Sequence, residues 1–317
     1  MSKPSIDVQA HHGLRRVGVS SSHNARQDDV MTTSRPALRA DELKSLLLAP
    51  NGPLARVEIV DVTESTNSDV AADLRADPAS WPDGSVLIAE HQAAGRGRAG
   101  RTWETPGGTS LTCSFAVRPV VPASTLGWLS LLAGLGAVNA LRATAGVPAV
   151  LKWPNDLLVP AETEIDGWGP VRKVGGILAE VVPMSDGGPA AVVIGIGINV
   201  SQGVDELPVP SATSLALAGA QHVDREGLLV SLVDALIAVT RRWRDAGGHT
   251  VWSGLSDEIA LVCGTLGDTV RVELPGGSEV TGVAVRLSEE GGLVVRDASG
   301  FEHLVLAGDV HHVRGAG

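Results

Sequence analysis

Residues 93–108, AAGRGRAGRTWETPGG, carry the pattern that most narrows what this chain can fold into. Gly95, Gly97 and Gly100 have the G-x-G-x-x-G spacing of a dinucleotide-binding turn, and the preceding SVLIAE (85–90) reads as a strand. Such a turn works only when a helix follows, because the pyrophosphate rests on the helix N-terminus. Here RTWETPGGTS follows instead, and Pro106 with two glycines leads into the alternating strand TSLTCSFAV (109–117). The dinucleotide fold is therefore disfavoured. What remains is a glycine-rich loop presenting Arg96, Arg98 and Arg101, whose guanidinium groups grip carboxylate or phosphate oxygens bidentately. A formal net charge of −11 repels phosphate backbones from the surface as a whole, and no aromatics interleave the arginines. A loop closing on a small anion fits better than a nucleic-acid loop or a merely solvated basic one.

Around this loop the periodicities predict an α+β protein: a mixed β-sheet with packed helices, followed by a small β-barrel. VEIVDV (57–62) reads as a strand and STNSDVAADLRA as a helix ending before Pro78, with Thr66 or Asn67 as its cap. Residues 125–145 have helical spacing up to Gly146. AVLKWPNDLLV (149–159), RKVGGILAEVV (172–182) and AVVIGIGINV (191–200) read as strands, the last two forming a hairpin, while 160–170 reads as a Gly/Pro-rich connection. Residues 224–248 make an amphipathic helix capped by Asp224 and stopped by Gly247. From about 262, five short strands separated by Gly-containing turns suggest the barrel. The expected domains are a disordered tail (1–40), a sheet-and-helix domain (41–260) and the barrel (261–317).

Several classes fall away. Cys113 and Cys263 form no metal or disulfide pattern, which fits a reducing cytoplasm. LGWLSLLAGLGAV (126–138) is too short to span a bilayer, so no membrane partner is expected. His11 and His12 lie in the aperiodic tail, and His311 and His312, adjacent in a strand, face opposite ways, so neither pair suggests a metal site.

Four blocks in order, GRGRAGR (95–101) with Trp103, KWPNDLL (152–158), RKVGGILAE (172–180) and GIGINV (195–200), resemble the biotin protein ligases over roughly residues 58–313. The resemblance implies a class II synthetase-like catalytic domain with an SH3-like C-terminal barrel. It also implies a two-step reaction: biotin and MgATP give biotinyl-5′-AMP and pyrophosphate, and a lysine of a biotin carboxyl carrier domain then takes the biotin as an amide. By the same resemblance, Ser65, Thr66, Asn67 and Gln92 contact the biotin ring. The short polar groups of Ser65, Thr66 and Asn67 suit a ureido head that both donates and accepts hydrogen bonds. Gly95, Arg96, Gly97 and Arg98 match the loop that folds over biotin and the adenylate. Arg101 and Trp103 match contacts to phosphates and adenine, and Lys152, Asn155 and Asp156 match contacts to ATP phosphates, with Asp156 on magnesium.

Lys173 is the expected catalytic residue, together with Arg98. Joining a carboxylate to a triphosphate brings like charges together, and a fixed ammonium there favours the crowded transition state. Lys173 is expected to open its strand, with Gly176 beside it, and Gly195, Gly197 and Asn199 are expected to line the same pocket, Asn199 toward the nucleotide. Three departures from the family pattern stand out: no two-helix DNA-binding pattern in the tail, a long PAETEIDGWGPVR segment before Lys173, and Lys-Val-Gly-Gly where relatives carry Lys-Leu-Ala-Gly. The first predicts a ligase that does not bind DNA. Lipoate ligases share the chemistry but lack the arginine-rich loop, and a non-catalytic biotin-binding protein would have no use for Lys173 and Asp156.

Overall fold

The computed structural model describes residues 35–165, 168–185, 187–220 and 223–312, the last without its side chain. Most of the expected tail, with His11 and His12, lies outside the described residues, as does the His312 side chain.

The first sheet has seven strands: β1 (Arg56–Thr63), β2 (Ser85–Gln92), β3 (Ser110–Val117), β4 (Val150–Lys152), β5 (Asp156–Ile165), β6 (Gly169–Val182) and β7 (Ala191–Asn199). Their spatial order is β1-β2-β3-β7-β6-β5-β4, and of the pairings only β1–β2 is parallel, joined through helix α2 (Thr66–Ala76). Helices α3 (Trp128–Thr144) and α4 (Arg225–Asp245) cover one face. Asp224 caps α4 by accepting from the Glu226 N–H, as expected.

The two-residue period of β7 explains what the sheet does with its other face. Val192, Ile194, Ile196 and Ile198 belong to the large core under α3 and α4. Ala191 and Val193 point the other way, into a smaller core with Val70, Ala71 and Leu74 of α2. Continuing on that face, β7 offers Gly195 and Gly197, so where α2 ends the sheet has no side chains to bury. A hollow opens there.

Four local expectations are corrected. The α2 cap is Ser65, whose hydroxyl accepts from the Ser68 N–H, which leaves Thr66 and Asn67 in the first turn facing inward. Residues 160–170 are not a plain connection: β5 and β6 continue through them as a hairpin, with register shifts that curl it. Lys173 consequently sits inside β6 rather than opening it. Two eight-residue helices, α1 (Ala40–Leu47) and α5 (Leu255–Val262), escaped the periodicity.

The C-terminal five strands, β8 (Thr269–Glu273), β9 (Glu279–Leu287), β10 (Leu293–Arg296), β11 (Glu302–Val305) and β12 (Asp309–His312), form an antiparallel, SH3-like sheet ordered β11-β10-β9-β8-β12. Two buried tryptophans, one on α3 and one after β4, fasten it: Trp128 Nε1 donates to Glu289 O (2.7 Å) and Trp153 Nε1 to Gly291 O (3.1 Å). Among the described residues, no helix is long and apolar enough to cross a membrane.

Candidate active site

The hollow is a cavity of about 290 Å³. Its floor is Gly176, Gly195 and Gly197, and its walls are the N-terminus of α2, the glycine-arginine loop, the turn after β4, residues 209–212 and strand β12.

One end is a hydrogen-bond network whose cavity-lining side chains, Ser65, Thr66, Asn67 and Gln92, are uncharged. Gln92 Oε1 accepts from Thr66 N (2.8 Å) and Thr66 Oγ1 (3.0 Å). Ser114 Oγ lies 2.7 Å from Thr66 Oγ1 and 2.6 Å from Asn67 Oδ1, and Asn67 Nδ2 donates to Leu178 O (3.1 Å) and Glu180 Oε2 (2.9 Å). Each partner fixes a neighbour's orientation, so the polar edges are set before any ligand arrives. Gly195 permits this arrangement, because a Cβ there would lie 2.9 Å from Asn67 Cγ and closer still to its oxygen. Ser114 and Glu180 were missed by sequence reasoning. The available signal was a lone carboxylate in the apolar run GGILAEVV.

The other end is cationic. Lys173 Nζ pairs with Asp156 Oδ1 at 2.6 Å, and Gly176 leaves room for it, since a Cβ there would stand 3.3 Å from Nζ. Arg98 donates to Asn155 Oδ1 (3.2 Å), Asn155 Nδ2 donates to Ile177 O (2.7 Å), and Arg101 is ion-paired with Asp309 of β12. Four cations, Arg98, Arg101, Lys152 and Lys173, thus face two carboxylates, Asp156 and Asp309. Burial pushes the Lys152 ammonium below the ordinary lysine range, with Asp156 opposing, and likewise lowers Arg98. Partly dehydrated cations in local excess suit a polyphosphate.

The loop itself is a tight hairpin: Gly97 N donates to Arg101 O (2.7 Å) and Trp103 N to Gly95 O (2.8 Å). Ala99 at its tip has φ 53°, the only non-glycine among the described residues in the left-handed region. Arg96 turns to the hydrogen-bond network, pairing with Glu180 at 2.9 Å. The Trp103 indole lies on Gly197, where a Cβ would come within 2.6 Å of the ring, and its buried Nε1–H has no protein partner. An orphan donor of this kind in a cavity wall is free for a ligand.

Two expected residues stand back from the cavity. Gly95 is behind the wall, where a Cβ would lie 2.7 Å from Gln92 Nε2, so it fixes the base of the loop. Asn199 is buried, donating to Thr213 O (2.9 Å) and accepting from Gln202 Nε2 (3.1 Å). It fastens the end of β7 to the following segment rather than facing the cationic end. Among the described residues no group of three or more His, Cys, Asp or Glu side chains could hold a metal ion. Of the two cavity carboxylates, Asp309 is paired with Arg101 and Asp156 with Lys173, so a divalent cation would find single carboxylate ligands here and not a protein-built cage.

A mixed sheet, a small C-terminal barrel and a cavity with uncharged side chains at one end and cations at the other define an α+β protein built to take a polar, anionic ligand. Two families match the sequence: the Biotin/lipoate A/B protein ligase family over residues 59–199 and the Biotin protein ligase C terminal domain over 265–313. The Biotin--[acetyl-CoA-carboxylase] ligase of Mycobacterium tuberculosis is 38% identical over 88% of this chain and 97% of its own length. The Bifunctional ligase/repressor BirA of Bacillus spizizenii is 31% identical over 79% of this chain and 71% of its own. The solved biotin protein ligase from Aquifex aeolicus in complex with biotin and ATP superposes with a TM-score of 0.61 at 27% identity, covering 83% of this chain and 99% of that one. The chain belongs to the biotin protein ligase family.

Proposed function

We propose that the protein activates biotin with ATP and transfers it to a lysine of a biotin carboxyl carrier domain. The observation that carries this reading is one cavity lined both by a fixed hydrogen-bond network and by a cluster of four cations that includes Lys173. In the first step a biotin carboxylate oxygen attacks the α-phosphorus of ATP, the bond to the β-phosphate oxygen breaks, and pyrophosphate leaves. In the second a carrier lysine amine attacks the activated carbonyl, AMP leaves with the electron pair, and the amine loses a proton.

Ser65, Thr66, Asn67 and Gln92 orient the ureido ring. Arg96 and Arg98 close over the carboxylate and α-phosphate, while Lys152, Arg101 and Asn155 hold the triphosphate and Trp103 the adenine. Lys173 neutralises charge at the reacting oxygens once the phosphates displace it from Asp156. Asp156 would be the carboxylate to meet a magnesium ion brought in by ATP, and such an ion would offset phosphate charge. The larger unit (41–260) performs the chemistry and the barrel (261–317) closes one side. Two free, buried cysteines fit a cytoplasmic setting, and the net charge of −11 fits an enzyme with no DNA partner.

Incubation with biotin, MgATP and a carrier domain tests this reading: one carrier lysine should gain the mass of a biotinyl group, and lipoate in place of biotin should give none. Labelling by lipoate alone would assign a lipoate ligase. Biotin binding without pyrophosphate release would assign a binding protein.

A further inference from the structure

The β5–β6 hairpin returns one aromatic side chain to the cavity. Between Pro160 and Ile165 the pairing register shifts, Trp168 N donates to Ile165 O (2.9 Å), and Gly169 at φ 72° bends the chain back. The buried Arg172 locks the curl: its guanidinium donates to Gly169 O (3.2 Å), Val171 O (2.8 Å), Thr163 O (2.8 Å) and Thr163 Oγ1 (2.9 Å). Trp168 belongs to neither hydrophobic core, so burial does not account for it. It lines the cavity, and its ring centroid is 4.8 Å from Lys152 Nζ. A cation at that distance is held by the ring quadrupole and shielded from water on that side.

We propose that Trp168 is a further positioning residue of the nucleotide end: its indole face steers the Lys152 ammonium toward the polyphosphate, and Arg172 holds the hairpin that carries it. This rests on the reading of the cationic end as the ATP site. A flexible lysine would otherwise sample many rotamers, and the ring and the buried stem leave it few. The effect belongs to the nucleotide and not to biotin, because the biotin network at α2 touches neither residue.

Steady-state pyrophosphate release, with ATP and biotin varied in turn, tests this on W168L, W168F and R172Q. W168L should raise the KM for ATP by about tenfold, the size of a partly desolvated cation–π contact, with the KM for biotin unchanged. W168F, which keeps a π face, should recover most of the loss, and R172Q should shift the same constant by less. Equal changes in both constants, no change, or W168F no better than W168L would overturn the assignment. Should wild type itself release no biotin-dependent pyrophosphate, the ligase reading fails instead. Calorimetric titration with a non-hydrolysable ATP analogue plus biotin still reads Trp168 independently of turnover: W168L should bind it about tenfold more weakly, and equal affinity would overturn the proposal.

Discussion

Lys173 and Asp156, 2.6 Å apart with side-chain exposures of 28% and 18%, could be no more than a structural ion pair. Magnitudes separate the two roles. A partly exposed pair contributes about 1 kcal/mol or less to stability, whereas removing one preorganised group that meets transition-state charge costs about 10²–10³ in kcat. Lys173→Ala should therefore cut adenylate formation by two to three orders of magnitude and leave thermal unfolding almost unmoved. Full pyrophosphate release by the variant would end its assigned role. RKVGGILAE singled out the lysine and KWPND the aspartate, but their pairing was not readable. A register shift between Leu157 and Leu158 decides which β5 side chain meets the lysine, and such a shift has no sequence period.

At the scale of elements, β7 divides the cavity between two glycines on one face. A methyl at Gly195 would push Asn67 off its hydrogen bonds, while one at Gly197 would strike the Trp103 ring at 2.6 Å. Overpacking of this kind costs about 1–3 kcal/mol. Gly195→Ala should raise the KM for biotin and spare that for ATP, and Gly197→Ala should do the reverse. Competition assays with each substrate would show it, and a common effect of both variants would mean that the floor is one site. The family resemblance carried by GIGINV put Gly195 and Gly197 in the pocket, where the structure has them. Which helix roofs them was not readable, because Ser65, Thr66 and Asn67 are all good caps and only tertiary contacts choose Ser65. Helices α1 and α5 are too short for a helical period to separate them from a strand.

The whole molecule joins its two sheets through the cores of both. Trp153 is buried beside the seven-stranded sheet, yet its ring donates to Gly291 O and its backbone N–H to Thr265 Oγ1 (2.9 Å). Calorimetry should consequently show one unfolding transition with equal calorimetric and van't Hoff enthalpies, and two resolved transitions would show that the seam does not couple the units. The barrel itself was legible in its turn spacing. Its contribution of Asp309 to the cavity was not, since Arg101 lies 208 residues away along the chain. That pairing, with Arg96 on Glu180 and Arg98 on the neutral Asn155, alters how the loop meets a charged ligand. Three bare arginines would shed counterions as a ligand entered, and ionic strength would govern affinity. Here Arg96 and Arg101 already hold an anion each, so within the loop only Arg98 gains a first carboxylate or phosphate, and the loop's own share of any salt dependence shrinks to that of one arginine.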